Sequence, residues 1–505
     1  MTEKEFLNAV KKADLRYFRE AEQRAAEAES LLDTEEKHMK LKKGILITAA
    51  AAVLSVGGVT AAVAMHGKNV QNERDETSLI EVITTKPNIE ETKTLGLHLT
   101  DDYIPPIAYS VGSHSRPQFV QSDTGWYYVK RTGLFEPVLY YTDAATVQSV
   151  PLCINPECKH DGNLYCTATT KAYYDKKLVW ANGSLWCTAT KSVHTDEVNS
   201  ANYSKDARLV LLEYAPDGSS IREIADFGKS DLAFSAPIYY RGYLFFYMQK
   251  QIGVTVEVED EFKNEKKVYR TIGYELIAYD LNTKKTVTVQ SELPAEGSYQ
   301  QYTMPEWFCG IGNDIYFYQY DDDWQQPYSQ GLHRVSLITG ETTDVGEKNV
   351  LTLSENEMLC LEPKPETKYP IEYEVHLKKL NSEEDTVLEN LDVNNSYIMD
   401  ENYIYCRDFD RETEHVSIMI YDKTGKERGK ATLPKNDEVQ NFAVLNGRIY
   451  AETKGRIEAT ENGGTLWLGD TPGYVHSCSI EDVLAGKAEW KTEFCVDEYV
   501  NTGKD

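Results

Sequence analysis

Three cysteines and one histidine lie within one short stretch of this 505-residue chain, PLCINPECKHDGNLYC, from Pro151 to Cys166. The residues that could bind a metal here are Cys153, Cys158, His160 and Cys166. Their C-x4-C-x-H-x5-C array offers three thiolates and one imidazole, a complete tetrahedral set for one structural zinc ion. A closed site of four protein ligands leaves no open position for catalysis, so its predicted role is to hold a loop in place.

A disulfide is the second interpretation of the same residues. Cys153 or Cys158 would pair with Cys166, close a loop of about ten residues and leave one thiol over. A third interpretation is that the thiols are ordinary packed side chains. Redox catalysis has less support, because the stretch contains no C-x-x-C motif. The residues alone leave metal, disulfide and neither open.

The elements that must position this cluster follow a repeat, in which a turn pair precedes a short aromatic strand. The seven turn pairs are Thr124-Gly125, Asn182-Gly183, Arg241-Gly242, Asn313-Asp314, Glu355-Asn356, Glu401-Asn402 and Asn446-Gly447. Asn-Gly and its relatives favour the positive φ angles of a tight hairpin. Most units add a second hairpin, and two hairpins in about 45 residues make one four-stranded propeller blade.

The fold class predicted from this repeat is an all-β domain over residues 105–497, a β-propeller of seven four-stranded blades, with a short tail at 498–505. A pair of β-sandwiches is the alternative. Cys187, Cys360 and Cys406 occupy one position of the repeat, where other units have apolar residues. We expect these three thiols to be free and buried. The Cys-His cluster lies outside the repeat, in the connection between the first two units.

A single membrane span is predicted before the propeller. Gly44 to Met65 contains no charged residue, and a helix of this length, about 33 Å, crosses a bilayer. We therefore assign residues 44–66 to a transmembrane helix. Four lysines between residues 37 and 43 indicate a cytoplasmic amino terminus and an extracytoplasmic carboxyl domain. A cleaved signal peptide ending near Ala62-Val63-Ala64 is the competing interpretation.

The segments on either side of this span have different compositions. Residues 1–43 show apolar residues at helical spacing and predict a cytoplasmic amphipathic helix. Such a helix would dimerise, bind a cytoplasmic regulator or lie on the membrane surface, and its balanced charge favours the last of these least. Residues 67–104 are polar and predict an extracytoplasmic linker. The net charge of −28 excludes nucleic acid as a natural partner, because phosphate binding needs clustered basic residues.

The cysteine-rich stretch resembles the PLCxxPxCxHxxxxC motif of uncharacterised clostridial single-pass envelope proteins with propeller-like ectodomains. The resemblance covers most of the predicted ectodomain and implies a membrane anchor followed by blade repeats. It implies no activity, because none is established for that group. Residues Phe6 to Glu22 are also similar to cytoplasmic segments of one-pass clostridial proteins that are suspected regulators of sigma factors.

The common catalytic signatures are absent from the sequence, among them G-x-S-x-G, H-E-x-x-H, the Walker loop and the dinucleotide fingerprint. We therefore expect a non-enzymatic protein, a membrane-tethered propeller that binds a peptide, a glycan or an envelope protein, or serves as a scaffold. One alternative is a transmembrane sensor whose cytoplasmic helix binds a transcription regulator in the manner of an anti-sigma factor. Another is a hydrolase with an unrecognised active site.

Overall fold

The computed structural model describes most of the chain from residue 94 onward. The described residues are 94–101, 119–131, 137–155, 157–160, 166–169, 173–191, 207–229, 233–260, 265–295, 302–305, 307–320, 328–364, 371–410, 412–433, 437–459, 465–468 and 472–498. Within these ranges no helix is long and apolar enough to cross a membrane. The predicted cytoplasmic helix (1–43) and transmembrane helix (44–66) lie outside the described residues, as does most of the predicted linker.

The described structure consists almost entirely of β-strands. The strands are β1 (Phe119–Gln121), β2 (Gly125–Arg131), β3 (Pro137–Asp143), β4 (Ser149–Pro151), β5 (Tyr173–Ala181), β6 (Ser184–Lys191), β7 (Arg208–Tyr214), β8 (Ile221–Lys229), β9 (Ile238–Tyr240), β10 (Tyr243–Asp260), β11 (Glu265–Asp280), β12 (Thr286–Glu292), β13 (Trp307–Ile311), β14 (Asp314–Gln319), β15 (Gly331–Ser336), β16 (Thr342–Asp344), β17 (Val350–Leu353), β18 (Glu357–Pro363), β19 (Tyr373–Lys379), β20 (Asp385–Val387), β21 (Ser396–Met399), β22 (Tyr403–Asp410), β23 (His415–Asp422), β24 (Glu427–Thr432), β25 (Asp437–Leu445), β26 (Arg448–Ala459), β27 (Thr465–Leu468), β28 (Gly473–Ser479) and β29 (Lys491–Asp497). A short helix α1, Ile480–Leu484, lies between β28 and β29.

Consecutive strands pair with one another in runs of four. Five separate sheets contain four strands each: β5–β8, β9–β12, β13–β16, β17–β20 and β21–β24. The remaining sheet has nine strands and joins the run β1–β4 to the run β25, β26, β28 and β29, with β27 added beside β26. We number these runs as units 1 to 7 in chain order. Antiparallel four-stranded sheets in this succession are the architecture of a β-propeller, as the repeat predicted.

The predicted tight turns account for the hairpins between the first and second strands. Asn182 and Gly183 both have positive φ, at 49° and 71°, and Asn446 and Gly447 have 47° and 73°. These angles suit a two-residue type I′ connection, in which glycine and asparagine are favoured. In unit 4 the positive φ belongs to Gly312, so this turn lies one residue before the predicted pair.

Apolar side chains of neighbouring units pack together around the whole circuit. Each neighbouring pair of units shares a hydrophobic cluster, and one such cluster joins units 4 and 5 through Tyr316 and Cys360. The cysteines of the repeat, Cys187, Cys360 and Cys406, are free and buried, as expected. Burial raises the pKa of Cys360 and of Cys406 to about 12. These thiols therefore act as small apolar side chains.

The last unit also packs against the first, through aromatic side chains. Phe494 of unit 7 stacks on Tyr128 of unit 1 with ring centres 4.2 Å apart, and Trp126 lies 4.8 Å from Tyr450. The backbone N–H of Glu498 donates to the carbonyl of Arg131 at 2.8 Å, beside a parallel bridge between β2 and β29. Unit 7 therefore meets unit 1 through side-chain packing and a single bridge.

The described part of the predicted linker lies against the propeller. We call residues 94–101 the N-terminal arm. Leu95, Leu97 and Leu99 pack on the hydrophobic cluster shared by units 3 and 4, and the backbone N–H of Leu95 donates to the carbonyl of Ile338 at 2.8 Å. The compact unit that contains the propeller accordingly begins before the arm, at Glu91.

The connections between strands divide between two faces, because successive connections of an antiparallel meander alternate between its ends. We call the end with the first-to-second and third-to-fourth connections the turn face, and the opposite end the loop face. Every first-to-second connection has two or three residues. The second-to-third connections are far more varied, from 411–414 in unit 6 to 192–207 in unit 2. The arm contacts the turn face, at Arg241 and Ile338.

The aromatic contact between the last and first units predicts a large effect of the substitution Phe494→Ala. The ring is 4% exposed and contacts three aromatic side chains of unit 1, those of Phe119, Trp126 and Tyr128. Its removal leaves a cavity in that contact, so we expect the free energy of unfolding in urea to fall by about 3–5 kcal/mol. The control is Val387→Ala, at an exposed valine, for which we expect a change within about 0.5 kcal/mol. Equal effects of the two substitutions would contradict the role given to this contact.

Candidate metal centre

The structure brings all four predicted ligands together. Cys153, Cys158 and His160 lie in the loop that follows β4, and Cys166 lies further along the same connection toward β5. Their ligand atoms, three Sγ atoms and one imidazole nitrogen, all lie within 4.8 Å of one another. His160 Nδ1 and Cys166 Sγ are 3.4 Å apart. The side chain of Cys166 is buried, and those of the other three are half-buried.

Local hydrogen bonds turn the chain so that its thiols converge. The backbone N–H of Cys158 donates to the carbonyl of Asn155 at 3.1 Å, and the N–H of Glu157 donates to Asn155 Oδ1 at 3.1 Å. An asparagine that binds the backbone two residues on is a common means of forming a turn. His160 has a φ of +52°, which is uncommon for a residue other than glycine, and the turn therefore depends on its surroundings to hold it.

The far end of the cluster is tied to both neighbouring units. The hydroxyl of Thr167 lies 2.7 Å from the carbonyl oxygen of Leu152 and 2.8 Å from that of Gly218, in the turn between β7 and β8. Gly218 has a φ of +73°, and a Cβ there would lie 2.7 Å from the backbone of Leu152. Only glycine permits this close approach. The cluster therefore sits where the loop leaving unit 1 contacts unit 2.

The thiols of the cluster have opposing electrostatic surroundings. Burial acts to raise the pKa of Cys153, but hydrogen bonds from the Asn155 backbone and the Thr167 side chain stabilise its thiolate and lower that pKa overall. For Cys158 a hydrogen bond from the His160 backbone acts to lower the pKa, but burial and the neighbouring Cys166 and Cys153 sulfurs raise it. Three thiolates so close together repel one another, and a divalent cation between them would remove that repulsion.

The arrangement is suited to a structural metal ion and poorly suited to nucleophilic catalysis. Three thiolates and one imidazole form the preferred donor set of tetrahedral zinc, and their mutual separations are of the order of the edges of such a tetrahedron. Cys166, the thiol beside His160, is 1% exposed, so a substrate cannot reach its sulfur. The nine cysteines are all free in this structure, so it contains no disulfide of the kind that the sequence left open.

A second group of possible ligands was not found from the sequence. Glu347, Cys360 and Glu362 also bring their ligand atoms within 4.8 Å of one another. Lys378 Nζ lies 3.0 Å from Glu347 Oε2 and 2.7 Å from Glu362 Oε1 and so already supplies the positive charge. We interpret this group as a half-buried ion-pair network between unit 5 and the connection that leads into it. Its residues come from three separate elements, so their spacing in the sequence carries no signal.

Comparison with known proteins finds no family for this chain. No family model and no curated protein matches the chain. Among solved structures, a prolyl endopeptidase matches with 12% identity and a TM-score of 0.44, over 77% of this chain and 50% of its own. The acylaminoacyl peptidase of Pyrococcus horikoshii matches with 11% identity and a TM-score of 0.45, over 77% of this chain and 52% of its own.

One further match consists of a propeller alone. The β-propeller domain of the Trilobed protease from Pyrococcus furiosus, described as having an open velcro topology, matches with 9% identity and a TM-score of 0.40. The match covers 77% of this chain and 99% of that domain. This chain spans about half the length of the two peptidases. Identities and TM-scores this low transfer no activity to this chain.

The ligand geometry predicts one zinc ion per chain. Elemental analysis of the purified protein should find zinc in a ratio of about one to one, with all nine thiols free after denaturation in chelator. Zinc competes with protons for thiolate and imidazole, so we expect it to be retained near neutral pH and lost on acidification to about pH 5. Chelation should lower the thermal midpoint by at least about 5 °C, because the ion joins two ends of a loop.

Two cysteine variants form the matched test of this site. Cys166→Ser should abolish stoichiometric zinc, whereas Cys187→Ala, which removes a buried thiol of the repeat, should retain it. A native protein that contains no zinc and whose mass shows Cys166 linked to Cys153 or Cys158 would exclude the metal site in favour of the disulfide.

Proposed function

We propose that this protein is a membrane-tethered binding propeller whose loop face recognises an extracytoplasmic peptide, glycan or envelope protein. The observation that carries the proposal is the division between its faces. Variation in connection length is concentrated on the loop face, whereas the first-to-second connections of the turn face are uniformly short. Loops of varied length on a rigid scaffold are where proteins commonly place their binding residues.

The largest feature of the loop face is the hairpin of unit 3. β10 and β11 run for 18 and 16 residues, against at most nine in the strands of units 1 and 2. Their pairing continues from Tyr243–Asp280 to Asp260–Glu265, with register shifts near Gly253 and Val254. The outer part of the hairpin extends beyond the four-stranded sheet, since β9 and β12 do not pair with it. It offers an edge of unpaired backbone to a ligand.

The scaffold beneath these loops is, in this proposal, a closed ring of seven blades. Its support is the hydrophobic cluster between every neighbouring pair of units, including units 7 and 1. The proposed zinc ion adds coordination bonds that hold together the loop between units 1 and 2. A ring held in this way keeps its loops in fixed relative positions, so that binding costs little conformational entropy.

The membrane tether in this proposal rests on the sequence of residues 44–66 alone.

Shortening the long hairpin tests this function directly. Replacing Val254–Arg270 with Asn-Gly joins Gly253 to its register partner Thr271 and retains the buried part of both strands. We expect the detergent-purified full chain to bind members of peptide or glycan arrays, and the shortened variant to bind them at least tenfold more weakly. Its thermal midpoint should stay within about 3 °C of the native value, since the variant keeps the buried residues Tyr243–Met248 and Tyr274–Tyr279.

The matched control is Ser382→Ala, a substitution at an exposed turn-face residue, which should leave array binding unchanged. Equal binding by the native and shortened proteins would contradict a role for the loop face. Absence of any bound peptide or glycan would also count against the proposal. Recovery of a transcription regulator on immobilised residues 1–43, without ectodomain binding, would favour the sensor alternative.

A further inference from the structure

We propose that the groove on the turn face between units 3 and 4 is a peptide-binding site, occupied in cis by the N-terminal arm and able to accept another extended peptide of the same pattern. This proposal is independent of the loop-face function. The arm itself shows what the groove recognises, because it lies there as a bound peptide would.

Alternate side chains of the arm face the groove. Leu95, Leu97 and Leu99 are half-buried against the cluster of units 3 and 4, whereas Gly96 and His98 between them are exposed. Gly96 has a φ of +67°, so the arm bends there, and the alternation describes one face of a bent segment turned toward the groove. The groove therefore selects aliphatic side chains at every second position of a ligand that, like the arm, has glycine between the first two.

Backbone hydrogen bonds hold the arm at several points. The N–H of His98 donates to the hydroxyl oxygen of Tyr243 at 2.9 Å, and the N–H of Thr100 donates to the carbonyl of Arg241 at 3.1 Å. Arg241 Nε in turn donates to the carbonyl of Thr100 at 2.7 Å. All three hydrogen bonds use backbone atoms of the arm and none uses its side chains. A peptide of different sequence could therefore make the same hydrogen bonds.

Arg241 is held in a strained conformation while it makes these contacts. Its φ is +48°, at a turn position where units 2 and 7 have Asn182 and Asn446. Its Nη1 donates to the carbonyl of Gly312 at 2.9 Å and to Asn313 Oδ1 at 2.8 Å, in unit 4. One guanidinium thus joins the arm, unit 3 and unit 4. Strain retained at an arginine with this set of contacts indicates a recognition residue.

The arm is an imperfect ligand for its own groove. The hydroxyl of Thr100 is buried and has no hydrogen-bond partner among the residues that the structure describes. Its Cγ2 would lie 3.1 Å from a Cβ at Gly242. A buried hydroxyl without a partner weakens binding, because it gives up its water contacts without replacement. A peptide with an isosteric apolar residue at this position would avoid that cost. This defect is what would allow another peptide to displace the arm.

The position of the arm in the chain would allow it to leave the groove without unfolding the propeller. It packs on units 3 and 4, whereas the chain continues to Phe119 in unit 1. Its attachment to the groove is therefore separate from the start of the propeller. Because the arm is covalently linked, its effective concentration is in the millimolar range, and only a stronger or more concentrated peptide will compete with it.

The test uses a fluorescent peptide with the sequence of residues 94–102, TLGLHLTDD, and full-length protein. In the double variant Leu95→Asp, Leu97→Asp, the arm no longer fills the groove, although no residue of the propeller is altered. We expect this variant to bind the peptide at least tenfold more tightly than the native chain, as measured by fluorescence anisotropy. A peptide with Val in place of Thr100 should bind several-fold more tightly than the native peptide.

Controls separate groove binding from nonspecific adhesion. A peptide carrying the same two Asp substitutions should not bind, and adding Arg241→Ala to the double variant should weaken binding about tenfold. Thr100→Pro, which removes the backbone N–H from the arm, provides a second means of releasing the arm if the double variant misfolds. Failure of both released variants to bind the peptide, with native circular dichroism, would overturn the proposal. Equal affinity for the threonine and valine peptides would remove the argument that the arm is an imperfect ligand.

Discussion

The aromatic contact between units 7 and 1 is the constraint on which the rest of the propeller depends. Among the described residues each unit is made of strands consecutive in sequence, so no exchanged strand fastens the last unit to the first. Tyr128, Trp126, Tyr450 and Phe494 bury large rings at this contact, and one parallel bridge adds to them. Large aromatic rings supply much buried area per residue. This explains their use between units 7 and 1, which are neighbours in space but not consecutive in the chain.

The two faces of the propeller follow from the same constraint. Once every unit has the same orientation, short turns collect at one end and the varied connections at the other. The turn face is regular enough to provide a groove between units 3 and 4, in which the arm lies beside Arg241. The loop face can vary in length without disturbing the packing between units. The arm and the connections of varied length thereby lie at opposite ends of one scaffold.

Much of the fold and all four members of the candidate metal site could be predicted from local patterns. The turn pairs carry their own backbone preference, and Asn182-Gly183 and Asn446-Gly447 adopt the positive φ angles that their chemistry favours. Cys153, Cys158, His160 and Cys166 lie within fourteen residues, so proximity in sequence implies proximity in space. The network of Glu347, Cys360, Glu362 and Lys378 could not be found in this way, because its members meet only when β18 pairs with β19 and the connection before β17 folds against them.

The sequence by itself determined the repeated strand pattern and the position of the buried thiols, because both follow a period of two. It also determined the composition of the candidate metal site, because those four residues are near neighbours in the chain. Only the tertiary structure decided that residues 94–101 lie in a groove between units 3 and 4, far along the chain from unit 1. It also decided that Thr167 joins the cysteine loop to Gly218. Such contacts depend on how whole sheets pack, and no local spacing encodes them.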